Sequence, residues 1–514
     1  MRLCLKVVNE QMKALSRKYA TQTKWKSVVG LEVHAQIQSR SKLFSAAATE
    51  FVSPVNRNVS LFDAATPGTL PVLNKRCVEA AVTTALALNC RVNAISMFDR
   101  KHYFYSDLPA GYQITQQRSP LANDGTLTFH VFTPGIHKAP YTTTSRIKQI
   151  QLEQDSGKSL HDETRSLVDL NRAGIPLIEI VFEPDLTDGE EAAALIKELV
   201  RILQRLETCS CKMEEGALRV DANVSVHKSG DPLGVRTEIK NIGSVRAVAG
   251  AINYEVQRQI ALLEEGKSVI NETRSWSAAS KITVAMRDKE EKQDYRYMPE
   301  PNLPPLYLAM GPSTWGCVNV DELRCTLPEL PNETRKNLVT NFNLTSQQAI
   351  ILVNENKLLT VFMETLDKRK VDAKLTANFL INNFLTLIAK EKIHLDNVSF
   401  SADFFGEIMT MLQDETINRK TAELLLEEML DTPEQSPLEI VKSRGWFQIT
   451  DEEEIRKMCH IVIDENPKIV KEYLRGKLKV FKALLGKVFV HSGNLIDMKK
   501  VTKILEQILK DKKV

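Results

Sequence analysis

Cysteine is scarce in this chain and poorly placed for bridging. Eight cysteines are spread over 514 residues (Cys4, Cys77, Cys90, Cys209, Cys211, Cys317, Cys325 and Cys459). Cys209-Ser210-Cys211 is the one close pair, with no second pair at ligand spacing to complete a zinc site. A disulfide scaffold is excluded, and free thiols in a reducing compartment are expected. No apolar run approaches the ~20 residues that cross a bilayer, so a soluble protein without membrane insertion is expected. Charge of one sign is missing too: 68 Lys and Arg stand against 65 Asp and Glu, a net of +3. Any nucleic-acid footprint must therefore come from local clustering. With 43% hydrophobic and 26% charged residues, disorder is excluded.

Familiar nucleotide loops are also lacking. Gly157-Lys158-Ser159 has the end of a phosphate-binding loop, but the glycine required five residues earlier is Leu152. There is no G-x-G-x-x-G after a strand and no nucleophile elbow. If ATP binds, side chains such as Lys75, Arg100, Lys101, Arg172 and Lys240 must hold its phosphates.

Residues 1–26 carry Arg2, Lys6, Lys13, Arg17, Lys18, Lys24 and Lys26 against the single acid Glu10. That composition, without a long apolar core, is expected of a mitochondrial transit peptide cut near Ala20. Beyond it the pattern alternates with period two. Glu32, His34, Gln36 and Gln38 share one face of a strand, and Arg219, Asp221, Asn223, Ser225 and His227 one face of another. Gln151, Glu153 and Asp155 oppose Ile150 and Leu152, and Glu179 shares a face with Glu183. These are half-buried strands of an antiparallel sheet with one face open. Helices are expected at Cys77–Leu88, at Val245–Glu265, and behind a capping box of Thr187 and Glu190 up to about Glu207.

Prolines cluster from Pro299 to Pro331 and mark a boundary. Helical runs follow at Ser346–Asn354, Lys357–Leu366, Asp372–Leu387, Ala402–Gln413 and Arg419–Met429, with another joint from Pro433 to Gly445. From Asn466 to Val514 there are 13 Lys or Arg and 4 acids, a difference of +9. A phosphate-binding face and a solvated helix surface explain that density equally well.

The acids of the open strand faces, Glu32, Glu153, Asp155, Glu179, Asp221 and Glu238 with His34, would repel if they converged unless a cation neutralised them. Carboxylate oxygens suit Mg2+ bridging to phosphate. Unrelated exposed acids fit the periodicity as well. The run from Met97 to Gln113 packs aromatics among charges, as a wall that stacks a base would or as an amphipathic strand and turn would; residues 294–301 pose the same choice.

Gly30-Leu31-Glu32-Val33-His34, Phe98-Asp99-Arg100-Lys101, Leu152-Glu153-Gln154-Asp155, Asp169-Leu170-Asn171-Arg172, Met213-Glu214-Glu215-Gly216, Arg219-Val220-Asp221, Glu238-Ile239-Lys240-Asn241 and Asp294-Tyr295-Arg296-Tyr297 together resemble one family: the B subunit of glutamyl-tRNA(Gln) amidotransferase (GatB), mitochondrial type. The resemblance runs from about Val28 to the C-terminus. It implies an α+β fold: an antiparallel-sheet cradle (27–315), an all-α domain (316–440) and a basic helical tail (441–514) that grips tRNA. It implies a heterotrimer with an amidase-type A subunit and a small C subunit in the mitochondrial matrix. ATP and Mg2+ would convert the γ-carboxylate of Glu-tRNA(Gln) to an acyl phosphate, and ammonia from the A subunit would displace the phosphate. Carried over, Glu32, His34, Glu153, Arg172 and Lys240 are the expected catalytic set. Arg100, Lys101, Lys75 and Tyr103 would contact nucleotide, and Glu32, His34, Glu153, Asp155, Glu214 and Asp221 the metal. The sequence departs from the family at Gln154, where many members have a second Glu. It departs again at Phe44-Ser45-Ala46-Ala47 and Ser60-Leu61-Phe62-Asp63, where some carry a four-cysteine zinc site; no structural zinc is expected. A non-catalytic tRNA-binding scaffold is the competing reading. A free-standing amide ligase would need its own ammonia source, and no amidase signature is evident.

Overall fold

Alternating apolar residues build the first half, because each strand can bury only one of its two faces. The computed structural model describes residues 25–133, 135–286, 294–312, 316–393, 395, 401–475 and 477–512. The expected leader lies outside the described residues except for Trp25 and Lys26, which open the first strand, β1 (Trp25–Gln36). The other strands that matter are β2 (Asp99–His102), β3 (Tyr112–Thr115), β4 (Ala122–Val131), β5 (Tyr141–Gln154), β6 (Lys158–His161), β7 (Ser166–Asp169), β8 (Pro176–Phe182), β9 (Leu218–Lys228), β10 (Thr237–Lys240), β11 (Thr273–Ser277) and β12 (Ile282–Ala285).

One nine-stranded sheet runs β12-β11-β10-β9-β1-β8-β5-β4, with the short strand Arg91–Val92 at the far edge. Its pairs are antiparallel apart from β10 with β11. β1 sits between β9 and β8, so the first described strand is central. Val29, Leu31, Val33 and Ala35 of β1 are fully buried, together with Ile150 and Leu152, Ile178 and Ile180, and Val220, Ala222 and Val224. Helices α1 (Lys75–Ala87), α2 (Gly189–Arg205) and α3 (Val245–Glu264) add Val78, Ala81, Leu195, Leu199, Val248 and Ile252 to the same core.

The α2 cap differs from its expected form by one residue. Asp188 is the N-cap and accepts from the N–H groups of Glu190 and Glu191, while Glu191, not Glu190, reaches back to Thr187. The proline-rich stretch is not bare linker. It contributes Leu306–Ala309, Val318–Asn319 and the helix Val320–Cys325, and Leu308, Val318 and Val320 pack into the sheet's core.

The chain divides into compact units of residues 1–332 and 333–514. The second unit is helical and has two apolar clusters. Ser346–Asn354, Asn356–Lys368, Ala402–Gln413 and Arg419–Asp431 surround Leu352, Phe362, Phe405 and Leu425. Ala373–Phe379 runs through a π turn, Leu380–Phe384, into Leu385–Glu391. Glu452–Glu465, Phe481–His491 and Met498–Asp511 enclose Cys459, Leu484 and Leu505. No described helix is long and apolar enough to cross a membrane. Fold class is therefore α+β, as the sequence predicts.

Candidate functional site

Register decides which acids meet. In the β1–β8 ladder His34 lies opposite Glu179, and in the β1–β9 ladder Glu32 lies opposite Asp221 and His34 opposite Arg219. Between β8 and β5, Leu177 opposes Glu153 and Glu179 opposes Gln151. Directly opposed residues point to the same side of a sheet. One face of four neighbouring strands therefore carries Glu153, Glu179, His34, Glu32, Asp221 and Arg219.

At the centre, His34 Nε2 lies 3.8 Å from Glu179 Oε1 and 4.0 Å from Glu153 Oε1. One ligand atom from each of His34, Glu153 and Glu179 falls within 4.8 Å of the others. Burial pulls the His34 pKa below its ordinary value, against the opposing pull of Glu153, so the imidazole is neutral and offers a lone pair. Burial also raises the pKa values of Glu153 and Glu179, which Lys101 only partly counters. Glu153 Oε2 is buried without a hydrogen-bond partner. A buried carboxylate oxygen in that condition costs free energy that a cation would recover.

Lys101 closes one side. Its Nζ is 3.8 Å from Glu153 Oε2 and 5.1 Å from the centroid of the Tyr295 ring. Burial disfavours the ammonium, but Glu153 and Glu179 outweigh it and hold the lysine pKa above its usual value. Tyr103 packs edge-on against Tyr105 and Tyr295, Tyr295 against Tyr297, and the Tyr103 hydroxyl donates to Gln113 Oε1 at 3.2 Å. Burial pushes the Tyr297 hydroxyl up to about 12, so that hydroxyl stays neutral. On the other side Glu32 Oε1 accepts from Asn223 Nδ2 at 3.1 Å, and Lys240 Nζ lies 3.7 Å from Asp221 and 3.5 Å from Glu238.

Several expected residues fall elsewhere. Asp155 lies just past the end of β5, where alternation no longer governs its direction; its carboxylate takes Arg219 at 2.9 Å and Arg172 at 3.6 Å, and it is not among the three residues whose ligand atoms converge. Glu214 sits in the one-turn helix Met213–Glu215 ahead of β9, exposed and off the ladder. Lys75 opens α1 and pairs with Glu79 at 4.0 Å, its side chain 62% exposed. Arg100 is held by Glu300 at 2.6 and 3.1 Å and lies 4.1 Å above the Tyr112 ring, so its charge is already matched. Gln154 alternates with Glu153 along β5 and belongs to the opposite face, so this departure from the family pattern does not remove a ligand from the cluster.

Glu179 is the residue missing from the expected metal set. Its strand reads Pro-Leu-Ile-Glu-Ile-Val-Phe, apolar on both faces, because both are covered. The available signal was its register partner: a charged residue in such a run, antiparallel to the strand of His34.

The geometry defines a class first: a sheet face on which a histidine and two carboxylates lie close enough to share a metal ion, beside a lysine and a fence of tyrosines. The GatB/GatE catalytic domain matches residues 27–311, and a second GatB domain matches residues 360–509. The chain belongs to the GatB family. It is 55% identical, over 98% of its length and 96% of the relative's, to the B subunit of the mitochondrial glutamyl-tRNA(Gln) amidotransferase of Aedes aegypti. The Homo sapiens protein of the same name is 46% identical over 95% of this chain and 89% of its own. The B subunit of the aspartyl/glutamyl-tRNA(Asn/Gln) amidotransferase of Rickettsia bellii is 41% identical over 95% of this chain and 98% of its own.

Proposed function

We propose that this chain is the transamidating subunit of a mitochondrial, ATP-dependent glutamyl-tRNA(Gln) amidotransferase. It works with an amidase-type A subunit that releases ammonia and a small C subunit. The γ-carboxylate of Glu-tRNA(Gln) attacks the γ-phosphorus of ATP and ADP leaves. Ammonia then attacks the acyl phosphate, inorganic phosphate departs, and Gln-tRNA(Gln) remains. The observation that carries this reading is the convergence of His34, Glu153 and Glu179, one ligand atom of each within 4.8 Å of the others.

The donor set, two carboxylates and a neutral imidazole, suits a divalent ion with room for water and phosphate oxygens, and Mg2+ is the reading we adopt. Bound there, the ion would neutralise charge on the transferring phosphoryl group. The protein's own residues do the rest. Lys101 places a fixed positive charge beside the acids, where a second anionic oxygen can pair with it. Arg219 and Arg172 hold Asp155 to the side, keeping its charge away from the incoming phosphate. Tyr103, Tyr295 and Tyr297 form an aromatic wall against which a base can stack. Asp221 and Glu238 hold the Lys240 ammonium at 3.7 and 3.5 Å.

The decisive measurement is Glu-tRNA-dependent ATP turnover by the assembled complex carrying Glu32→Ala or Glu153→Ala. A loss of roughly 100-fold is expected for the removal of a preorganised electrostatic interaction. Unchanged turnover would make the chain a tRNA-holding scaffold instead.

A further inference from the structure

The stretch matching the four-cysteine zinc site of some relatives is not an unstructured remnant. Lys42 is fully buried, and its Nζ donates to Asp63 Oδ2 at 3.1 Å and to the Leu170 carbonyl at 3.3 Å. Ser45 Oγ donates to both Asp63 carboxylate oxygens at 3.1 Å, and the Ser60 N–H donates to Oδ2 at 2.9 Å. The Asp63 N–H returns a bond to Ser60 Oγ at 3.1 Å. A divalent ion does not fit here: the cysteines are gone, the one carboxylate is fully engaged, and an ammonium stands beside it.

These bonds reach the edge of the acidic pocket. Gly174, at φ +83°, lies so close that a Cβ would meet Asp63 Oδ1 at 2.8 Å. Leu43 N–H donates to the Gly174 carbonyl, and Gly174 N–H to the Asp155 carbonyl at 2.8 Å. The turn from Leu170 to Gly174 carries Arg172, whose Nε donates to the Ser156 carbonyl at 3.0 Å beside Asp155. Burial holds the Lys42 pKa below its ordinary value against the opposing pull of Asp63, and removing one partner of such a buried pair leaves the other charge uncompensated.

We propose that Lys42, Asp63, Ser45 and Ser60 form a metal-free staple that does for this chain what zinc does elsewhere in the family, and that Lys42 and Asp63 are thereby positioning residues for Arg172. The loop from Ser39 to Asn74 is clamped to the 170–174 turn through an internal cation supplied by the chain itself.

The test uses the full chain in its assembled complex. Elemental analysis is expected to find less than about 0.1 zinc per chain, and chelator to leave the melting temperature unchanged, since a closed zinc site holds its metal near stoichiometry. About one zinc per chain, lost to chelator together with stability, overturns the staple. Asp63→Asn is expected to lower the melting temperature by roughly 5–10 °C, because it breaks a buried pair.

The positioning role rests on the activity proposed above and is read separately, in a double-mutant cycle. Asp63→Asn and Arg172→Ala are each expected to cost roughly 10- to 100-fold in kcat/KM. The double variant is expected to lose no more than Arg172→Ala alone, within about twofold. Losses that multiply overturn the coupling. If Asp63→Asn does not fold, Ser45→Ala replaces it in the same cycle, with smaller losses and the same pattern expected.

Discussion

Glu179 offers the sharpest test at the scale of single residues. It lies across the ladder from His34 and 3.8 Å from its Nε2. Glu179→Gln keeps the shape of the side chain and removes a charge from the proposed ion site. Glu-tRNA-dependent ATP turnover is expected to fall roughly 100-fold with an unchanged melting profile. Glu214→Ala and Lys75→Ala are expected to stay within about twofold of the parent. An equal loss for Glu214→Ala would mean that the pocket has been drawn in the wrong place. The contrast shows what the sequence makes legible. Glu32, His34 and Glu153 fall on the polar sides of alternating strands, as other acids do, and it is the resemblance to the family that singles them out. Glu179 is legible as one of the strand-face acids, but its strand is buried on both faces and only register sets it beside His34. Asp155 and Glu214 carry the same chemistry as their neighbours, but they stand beyond strand ends, where period two no longer predicts direction.

Elements were easier to read than pairings between them. Ser346–Asn354 and Ala402–Gln413 have the bounds their apolar spacing predicts, and α3 ends within one residue. Helix periodicity is local information, whereas register between β1 and β8 depends on residues about 145 apart and on the turns between them. One such register feature is a shift between Val181 and Phe182, where β8 slips against β5. Arg146 secures it: its N–H donates to Asp185 Oδ2 at 2.8 Å, Nε to the same oxygen at 3.1 Å, and a terminal nitrogen to Oδ1 at 2.6 Å. The side-chain bond from Arg146 holds the Asp185 pKa below the ordinary carboxylate value. A depressed folded-state pKa contributes stability that is present above the unfolded value and lost as pH falls through the folded one. Asp185→Asn is therefore expected to cost about 1 kcal/mol at pH 7, discounted because the Arg146 side chain is largely exposed. The gap from the parent should close as denaturation midpoints are taken to acid pH; a gap independent of pH would mean the pair is not what fixes the shift.

At the scale of the whole molecule, charge is unevenly shared. The net of +3 conceals a last segment at +9, whose Leu484 and Leu505 share an apolar cluster with Cys459. Lys479, Lys482 and Lys487 are exposed there. Replacing all three by Glu is expected to weaken tRNA binding and to flatten its dependence on salt, by up to about 0.7–0.9 in log–log slope for each phosphate no longer neutralised. Binding titrations at several salt concentrations read this directly, and an unaltered slope would assign the charge to a merely solvated surface. Composition alone left those two alternatives level, because lysine density says nothing about what a face meets.

The central place of β1 carries a cost in time. Synthesis and threading through a membrane both deliver a chain from its amino end, so Val29, Leu31, Val33 and Ala35 emerge long before β8 and β9 can cover them. For that interval a strand with one apolar face stands bare along both edges, the condition in which chains stick to one another. A holding chaperone that releases only after residue 228 has appeared would suit this order of assembly, and His34, Glu153 and Glu179 cannot meet before β8 docks.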